Sequence, residues 1–321
     1  MRLPQPLLDS PFFLFERLDD LIRALGSDLD PLEEMEIRRL AQLGLPPVTS
    51  ITTLATMLGL NPGFVWSLVH TNRRYYRSFA LPKGRGFREI TAPKVGLKIV
   101  QKWVSVHLNR RYQPAEHVHG FVTGKSHVTA AECHVGAEWV ASFDIRDFFP
   151  STPQILVETV LMESGYSQEA ARILGSICCY KGFLPQGAPS SPVLANMCFS
   201  SVDAGISELA NDLELVVTRY ADDVTYSSRG EWNLQIEQRM RELLDASPWS
   251  LAVQKTCYAR LPERLKVHGL LVSGDKVRLT KGYRNRLRML RHLKARGVDL
   301  GVETSKINGH IEYAKFIDER A

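Results

Sequence analysis

Hydrophobic and polar positions follow two different periods along this 321-residue chain. Apolar side chains at three- and four-residue spacing predict amphipathic helices, first at Leu18, Leu21, Ile22 and Leu25. The same spacing predicts helices over 98–108, 154–164, 168–179 and 234–244. Short runs rich in β-branched and aromatic residues instead predict strands, at 75–79, 87–90, 139–144, 216–228 and 266–272. The chain therefore mixes helices with strands.

The run from Val216 to Ser228 is interrupted by Ala221, Asp222 and Asp223, which predicts two strands joined by a tight turn. Asp is a common turn residue, so the pair alone is equally consistent with ordinary turn chemistry. A third acid, Asp144, ends the predicted strand 139–144. Three acids at strand ends are able to hold two divalent cations for in-line phosphoryl displacement. Because the ligands are hard oxygens on few residues, they favour Mg²⁺.

Charge is distributed unevenly along the chain. The composition, 44% hydrophobic and 23% charged, is that of an ordinary globular protein, and the net charge is only +5. Residues 255–297, however, carry thirteen Lys or Arg against Glu263 and Asp275. The alternative is that these residues form a solvent-exposed helix face, but such faces usually carry both positive and negative charges. The segment therefore predicts a surface for a polyanion such as nucleic acid.

Cysteine usage and hydropathy exclude other classes. The five cysteines show no Cys-x-x-Cys spacing, which predicts reduced thiols in a cytoplasmic protein. No signal peptide and no apolar run of membrane-spanning length is expected, so membrane partners are excluded.

Three further blocks have candidate binding chemistry. Lys83 and Arg88 flank a Gly-rich predicted hairpin tip, where cations offset charge developing on a triphosphate. The segment His119-Gly120-Phe121-Val122-Thr123-Gly124-Lys125-Ser126 offers backbone amides and Lys125 to a template phosphate. The loop Leu184-Pro185-Gln186-Gly187-Ala188-Pro189-Ser190-Ser191-Pro192-Val193-Leu194-Ala195-Asn196 has small residues that permit close backbone approach.

These blocks, in this order around Tyr220-Ala221-Asp222-Asp223, resemble the reverse transcriptases, densely over residues 70–280. The resemblance implies an α+β right-hand polymerase fold with fingers, an antiparallel-sheet palm and a helical thumb. Residues 1–65 would be an N-terminal helical extension, 66–275 the fingers and palm, and 276–321 a basic helical thumb. The activity implied is RNA-directed DNA synthesis from dNTPs.

The resemblance also implies roles for individual residues. Asp144 and Asp222 would bridge two Mg²⁺ ions with the Ile145 carbonyl as a further ligand, and Asp223 would support them. Phe149 would be a steric gate against the ribose 2′-OH, although a core position is the alternative. Nucleotide contacts are expected from Lys83, Arg88, Phe149, Gln186 and Lys255. Nucleic-acid contacts are expected from Lys125, His134, His268, Arg284, Arg288 and Arg291.

Two short elements narrow the resemblance to retron enzymes. Ala131-Glu132-Cys133-His134 and Val267-His268-Gly269-Leu270 resemble retron blocks, with Ala130 in place of Asn and His268 in place of Thr. A retron enzyme copies part of a cognate structured non-coding RNA into single-stranded DNA (msDNA), starting from a guanosine 2′-OH. It acts with a separate effector protein in anti-phage defence.

Alternatives to the retron interpretation remain open. A group II intron-like or diversity-generating reverse transcriptase would carry the same catalytic blocks. A non-catalytic RNA-binding scaffold would retain the palm, but a binder gains nothing from three clustered anions beside RNA.

Overall fold

The computed structural model describes residues 5–84, 86–232, 235–296 and 304–320. In the first half of the chain its α-helices are α1 (Gln5–Asp9), α2 (Leu18–Leu25), α3 (Pro31–Gln42), α4 (Ile51–Leu58), α5 (Pro62–His70), α6 (Val95–Arg111), α7 (His127–Cys133) and α8 (Gln154–Glu163). In the second half they are α9 (Gln168–Cys178), α10 (Ser191–Cys198), α11 (Ser200–Asp212), α12 (Ile236–Asp245), α13 (Lys281–Ala295) and α14 (Thr304–Arg320). The strands are β1 (Tyr76–Lys83), β2 (Gly86–Pro93), β3 (Trp139–Asp144), β4 (Val216–Tyr220), β5 (Asp223–Ser228), β6 (Cys257–Arg260), β7 (Lys266–Val267), β8 (Leu270–Leu271) and β9 (Arg278–Leu279).

The described residues fall into two compact units, one within 1–114 and 147–201 and the other within 115–146 and 202–321. The first unit is largely helical and contains the antiparallel hairpin β1–β2. Its helices begin and end at residues that satisfy free backbone groups: Asp30 caps α3 ahead of Pro31, and α4 runs from the Ser50 cap to the left-handed Gly59.

The second unit is built on a four-stranded antiparallel sheet with the strand order β4-β5-β3-β6. Its aromatic side chains Trp139, Phe143 and Tyr226 are fully buried. This burial explains why apolar, β-branched and aromatic residues dominate the run 139–143. The predicted strand 139–144 and the hairpin of 216–228 are both confirmed.

A second apolar cluster in this unit joins the small sheet β7-β8-β9 to the C-terminal helices. Val267 and Leu270 from the small sheet pack in one cluster with Leu287 of α13 and with Ala314 and Ile317 of α14. The sequence-based division at residues 65 and 275 stays a prediction.

Two details differ from the sequence-based expectations. The predicted continuous strand 266–272 is wrong, because His268 and Gly269 form a two-residue turn between β7 and β8. Both have positive φ, +48° and +83°, as a type I′ turn requires. The predicted start of helix 234–244 lies outside the described residues, and α12 is described from Ile236.

Candidate active site

The turn between β4 and β5 consists of only Ala221 and Asp222, because Tyr220 and Asp223 are paired across the hairpin. Ala221 has φ of +59°, a left-handed conformation in a residue that is not glycine. A positive φ at the first turn residue matches the twist of the flanking strands, which explains why a two-residue connection forms here. The turn holds Asp222 at the tip and Asp223 at the first position of β5.

The end of β3 lies against this turn. Asp144 and Asp223 are directly opposite each other in the β3–β5 pair. The Ile145 amide donates to the Asp222 carbonyl at 2.7 Å, and the Ala252 amide donates to the Asp144 carbonyl at 2.8 Å. The structure therefore brings Asp144, Ile145, Asp222 and Asp223 together at one end of the sheet.

Gly120 packs directly behind the β4–β5 turn. The amides of His119 and Gly120 both donate to the Arg219 carbonyl, at 2.8 and 3.2 Å. A Cβ atom on Gly120 would lie 2.1 Å from the Ala221 nitrogen, closer than any side chain permits. Glycine at 120 is thus required by the close approach of two backbones.

The electrostatics of the three acids suit a cation. Burial, together with the charges of Asp144 and Asp223, raises the pKa of Asp222 above its ordinary value. Within the described ranges, no three His, Cys, Asp or Glu side chains form a ready-made cage for an ion. A few carboxylates that leave positions for water and substrate phosphates fit Mg²⁺, which rarely uses an all-protein cage.

Lys255 supplies the nearest positive charge. It ends a short 3₁₀ turn, Val253–Lys255, and its Nζ lies 2.5 Å from Asp144 Oδ1. The ammonium is half-exposed, so the pair adds little stability, but it offsets charge at the carboxylate. The predicted contact of Lys255 with the nucleotide stays a prediction, and the position of Lys255 beside Asp144 is compatible with it.

His268 lies against Asp223, the first residue of β5. Its Nδ1 is 3.3 Å from Asp223 Oδ2, and its ring centroid is 5.2 Å from that of Tyr220. The side chain is buried, and Nε2 has no hydrogen-bond partner among the described residues. His268, which was predicted to contact nucleic acid, therefore contacts the β4–β5 hairpin.

His134 requires a correction. It is fully buried, and its ring nitrogens bond Ser227 Oγ at 2.7 Å and Thr218 Oγ1 at 2.8 Å. Burial, with a smaller contribution from His268, lowers its pKa to about 3. The expected nucleic-acid contact is wrong for this conformation, because His134 ties α7 to the hairpin stem instead.

Lys125 donates to the Glu116 carbonyl and directly precedes Ser126, the N-cap of α7. Its predicted contact with nucleic acid stays a prediction.

The first unit carries the remaining nucleotide candidates. Lys83 and Arg88 lie on the facing strands of the β1–β2 hairpin, and Arg88 is opposite Leu81. Phe149 is half-buried and packs on the fully buried Phe148, with ring centroids 5.5 Å apart. The Gln186 carbonyl accepts from the Thr91 amide at 2.9 Å, which fixes this loop to β2. The contacts described here do not test the predicted roles of Lys83, Arg88, Phe149 and Gln186 in nucleotide binding, which stay predictions.

Helix α13 has the two faces expected of it. Leu287 and Leu290 are buried, whereas Arg284, Arg288 and Arg291 are exposed. Arg284 forms an exposed ion pair with Asp318 of α14 at 3.1 Å. The outer face of the helix is therefore cationic, as a contact with phosphates requires.

Comparison with known proteins decides the family. The family profile described as reverse transcriptase (RNA-dependent DNA polymerase) matches residues 81–290. The retron Ec86 reverse transcriptase of Escherichia coli is 31% identical over 258 residues, which cover 76% of this chain and 78% of that protein. The retron Mx65 reverse transcriptase of Myxococcus xanthus is 30% identical over 307 residues, 87% and 71% of the two chains. This chain belongs to the retron-type reverse transcriptases.

The reverse transcriptase is therefore an RNA-directed DNA polymerase with an RNA template as partner, and the expected α+β right-hand polymerase fold is confirmed. Two solved structures also resemble it at low TM-scores. Telomerase from Candida albicans in complex with a telomeric RNA fragment is 11% identical with a TM-score of 0.46, and the match covers 68% of this chain and 50% of that chain. The foamy viral protease-reverse transcriptase in complex with RNA/DNA hybrid is 14% identical with a TM-score of 0.39, and the match covers 69% of this chain and 26% of that chain. Across the described part of this reverse transcriptase, no helix is long and apolar enough to cross a membrane.

The sequence did not predict the residues that support the β4–β5 turn from inside the second unit. Arg219 and Asp203 form a buried ion pair, and His117 lies 3.2 Å from the same carboxylate. Arg219 directly precedes Tyr220, but nothing in the local sequence distinguishes a buried arginine from an exposed one.

Proposed function

We propose that this reverse transcriptase copies part of a cognate structured non-coding RNA into msDNA, starting from an RNA 2′-OH. The observation that carries the proposal is the three-acid site on a chain similar to named retron enzymes over most of its length. A separate effector protein and a role in anti-phage defence belong to the same proposal through the resemblance. The five free cysteines support the cytoplasmic location expected of such an enzyme.

The proposed site binds two Mg²⁺ ions. When bound, the ions activate the attacking hydroxyl and neutralise charge on the departing pyrophosphate. Asp144 and Asp222 would hold both ions, with the Ile145 carbonyl as a further ligand and Asp223 in support. Burial first, and then the charges of Asp144 and Asp223, raise the pKa of Asp222, which supports this assignment because a bound cation offsets both costs of the ionised carboxylate.

Other side chains have proposed roles in binding. Lys83 and Arg88 carry charge that suits a triphosphate, Gln186 is assigned to the incoming nucleotide, and Phe149 to sugar selection. Lys255, already paired with Asp144, would assist the departure of pyrophosphate. Lys125 and the exposed α13 arginines would contact template and duplex phosphates.

Priming from a 2′-OH is a problem of positioning. In-line attack needs a near and aligned hydroxyl, and the chemistry is indifferent to which sugar position provides it. Contacts with the folded RNA must therefore present one internal nucleotide to the acids. His268 is the proposed protein contact, since it lies against Asp223 and retains a buried Nε2 without a partner among the described residues.

Expression of the protein with its flanking locus tests the proposal. The expected product is a short single-stranded DNA that keeps one ribonucleotide on its 5′ end after RNase treatment, and a debranching enzyme should remove that ribonucleotide. His268→Ala should reduce this branched product more than it reduces extension of an annealed DNA primer. Robust primer extension without any branched DNA would favour a group II intron-like or diversity-generating enzyme.

The remaining parts of the proposal have their own tests. Absence of both activities from the purified, folded protein would favour the RNA-binding scaffold. Phage challenge of cells that carry the locus, with wild-type or Asp222→Asn enzyme, tests the defence role. Equal plating efficiency of phage on both strains would remove defence from the proposal.

A further inference from the structure

Arg219 is a fully buried arginine immediately before the catalytic turn. Its guanidinium grips Asp203 of α11 with two bonds, Nε to Oδ1 at 2.7 Å and Nη2 to Oδ2 at 2.6 Å. Burial opposes ionisation of Asp203, but the charge of Arg219 and hydrogen bonds from His117 and Arg219 leave its pKa below the ordinary value. Burying such a pair is costly, and apolar residues of similar volume would often serve stability equally well.

The same guanidinium makes a third bond that a purely structural ion pair does not need. Arg219 Nη1 donates to the Ala221 carbonyl at 3.0 Å. The backbone of Arg219 is also fixed, because its amide donates to the His117 carbonyl at 2.8 Å and its carbonyl accepts from the amides of His119 and Gly120. Arg219 therefore connects a rigid interior to the first residue of the turn.

Ala221 is where that connection matters. Its φ of +59° is sterically unfavourable for alanine, so the turn needs outside contacts to persist. Gly120 packs against the Ala221 nitrogen, while Arg219 holds the Ala221 carbonyl, which precedes the Asp222 amide. The two contacts restrain both peptide groups of Ala221, and the position of Asp222 depends on them.

We propose that Arg219 and Asp203 are positioning residues for DNA synthesis, acting through Ala221 to hold the Asp222 carboxylate in place. The inference rests on the proposed role of Asp222 as a metal ligand. It predicts that weakening the ion pair lowers both the affinity for metal and the rate of primer extension. Loss of a group that orients a metal ligand commonly lowers metal affinity or activity by about 10- to 100-fold.

Five variants of the protein test the inference. Arg219→Lys keeps the charge but loses the planar fork, and Asp203→Asn keeps the shape, so it serves if Arg219→Lys does not fold. Ala221→Gly removes the steric cost of the left-handed turn and is also combined with Arg219→Lys. Ser227→Ala is the matched control, because it removes a buried bond to His134 on the same hairpin without touching the turn.

Three readouts are measured for each variant: extension of an annealed primer against Mg²⁺ concentration, Mn²⁺ binding by electron paramagnetic resonance, and hydrogen exchange of peptides over 219–226 without metal. We expect Arg219→Lys and Asp203→Asn to raise the Mg²⁺ midpoint and the Mn²⁺ dissociation constant about 10- to 100-fold, with faster exchange at the turn. Adding Ala221→Gly to Arg219→Lys should restore about fivefold of the rate. Ser227→Ala should lower the melting temperature without moving the Mg²⁺ midpoint.

A wild-type Mg²⁺ midpoint and Mn²⁺ affinity in a destabilised Arg219→Lys or Asp203→Asn protein would overturn the inference, since the pair would then serve stability alone. Failure of Ala221→Gly to restore any rate would overturn the route through Ala221. The variant Asp222→Asn distinguishes failure of the proposed metal site from failure of the positioning role of Arg219 and Asp203. If Asp222→Asn extends primers normally, the proposed metal site fails. If only the Arg219 and Asp203 variants behave as wild type, the metal site stands and the positioning role fails.

Discussion

The two antiparallel hairpins β4–β5 and β1–β2 are built in opposite ways. In β4–β5 the stem residues Thr218, Arg219 and Thr225 are buried, and both strands belong to the four-stranded sheet. Among the described residues, strands β1 and β2 pair only with each other, and Phe79, Leu81 and Phe87 are 40%, 47% and 78% exposed. The β4–β5 hairpin is therefore packed on several sides, whereas the β1–β2 hairpin is held mainly by the hydrogen bonds between its own two strands.

This difference indicates what each hairpin is able to do. Chemistry requires carboxylates fixed to a fraction of an ångström, which only a buried, over-determined turn provides. Long cationic side chains on an exposed ladder provide charge without fixed geometry. Changes in β4–β5 should therefore lower the rate of bond formation, whereas changes in β1–β2 should weaken nucleotide binding.

The largest effect is expected at the fixed turn. Asp222→Asn should lower primer extension by about a thousandfold or more while RNA binding persists, because it removes a proposed metal ligand. It should also raise the melting temperature of the metal-free protein. The native pKa of Asp222 is raised, so its ionised form opposes folding near neutral pH, and Asn removes that opposition.

The matched control for Asp222→Asn is Asp245→Asn, an exposed acid at the end of α12 in the same unit. It should leave extension and melting unchanged. Near-normal extension by Asp222→Asn in Mg²⁺ would contradict the two-metal assignment.

Sugar selection should give the next largest effect. Phe149→Val should raise the ratio of rNTP to dNTP incorporation about 10- to 100-fold, since removing a steric clash admits the 2′-OH. Phe148→Val is the control, because Phe148 is a core residue packed on Phe199. It should lower melting temperature and both activities together. The same pattern in Phe149→Val would make Phe149 a core residue.

The exposed hairpin should respond in affinity. Arg88→Ala should raise the KM for dNTP about tenfold with a smaller change in kcat, as loss of one charge-assisted hydrogen bond does. Arg77→Ala, on the same hairpin and over the Phe79 ring, is the control and should change neither parameter. A fall in kcat at unchanged KM would break the contrast between the two hairpins.

A smaller effect is expected from the cationic face of α13. Neutralising Arg284, Arg288 and Arg291 to Gln should lower the slope of log affinity for an RNA–DNA duplex against log salt by about 2 to 3, at roughly 0.9 for each lost phosphate contact. Lys315→Gln on α14, a cation already paired with Glu312, is the control. An unchanged slope would show that this face serves another surface.

The smallest effect concerns pH and the buried hairpin stem. Burial first, then the charge of Lys125, lowers the pKa of His119 to about 4, and burial lowers that of His134 to about 3. The unfolded chain therefore binds protons below about pH 6.5 that the folded chain does not, so unfolding free energy should fall from about pH 6.5 towards pH 4. Denaturant titrations at about pH 5 and pH 7 check this. His134→Gln should flatten the dependence, and an identical dependence would show that His134 is not the group responsible.

The sequence was most informative where periodicity and chemistry coincided. The run ending at Asp144 and the interrupted run around Asp222 predicted two neighbouring strand ends, and β3 and β5 do pair Asp144 with Asp223. The leucine and arginine spacing of 281–296 likewise predicted both faces of α13.

Contacts between distant residues were beyond the sequence. Asp203 lies on a helix 16 residues before Arg219, and neither residue type favours burial, so no local pattern indicated the pair. The run 266–272 was predicted as one strand because its residues are mostly apolar, although Gly269 readily adopts the positive φ of the observed turn. His134 was assigned to RNA through the resemblance of Ala131-Glu132-Cys133-His134 to a retron block, whereas Ser227 and Thr218 occupy both of its ring nitrogens.

The most direct test of the central claim, priming from an RNA 2′-OH at the Asp144 and Asp222 site, uses purified protein and two synthetic versions of its RNA. One carries the natural priming nucleotide, mapped from the cellular product, and the other carries the same nucleotide without its 2′-OH. The account predicts DNA covalently joined to the first RNA and none on the second, while extension of an annealed DNA primer on both is equal and is lost in Asp222→Asn. DNA synthesis of equal yield from both RNAs without an added primer would contradict it.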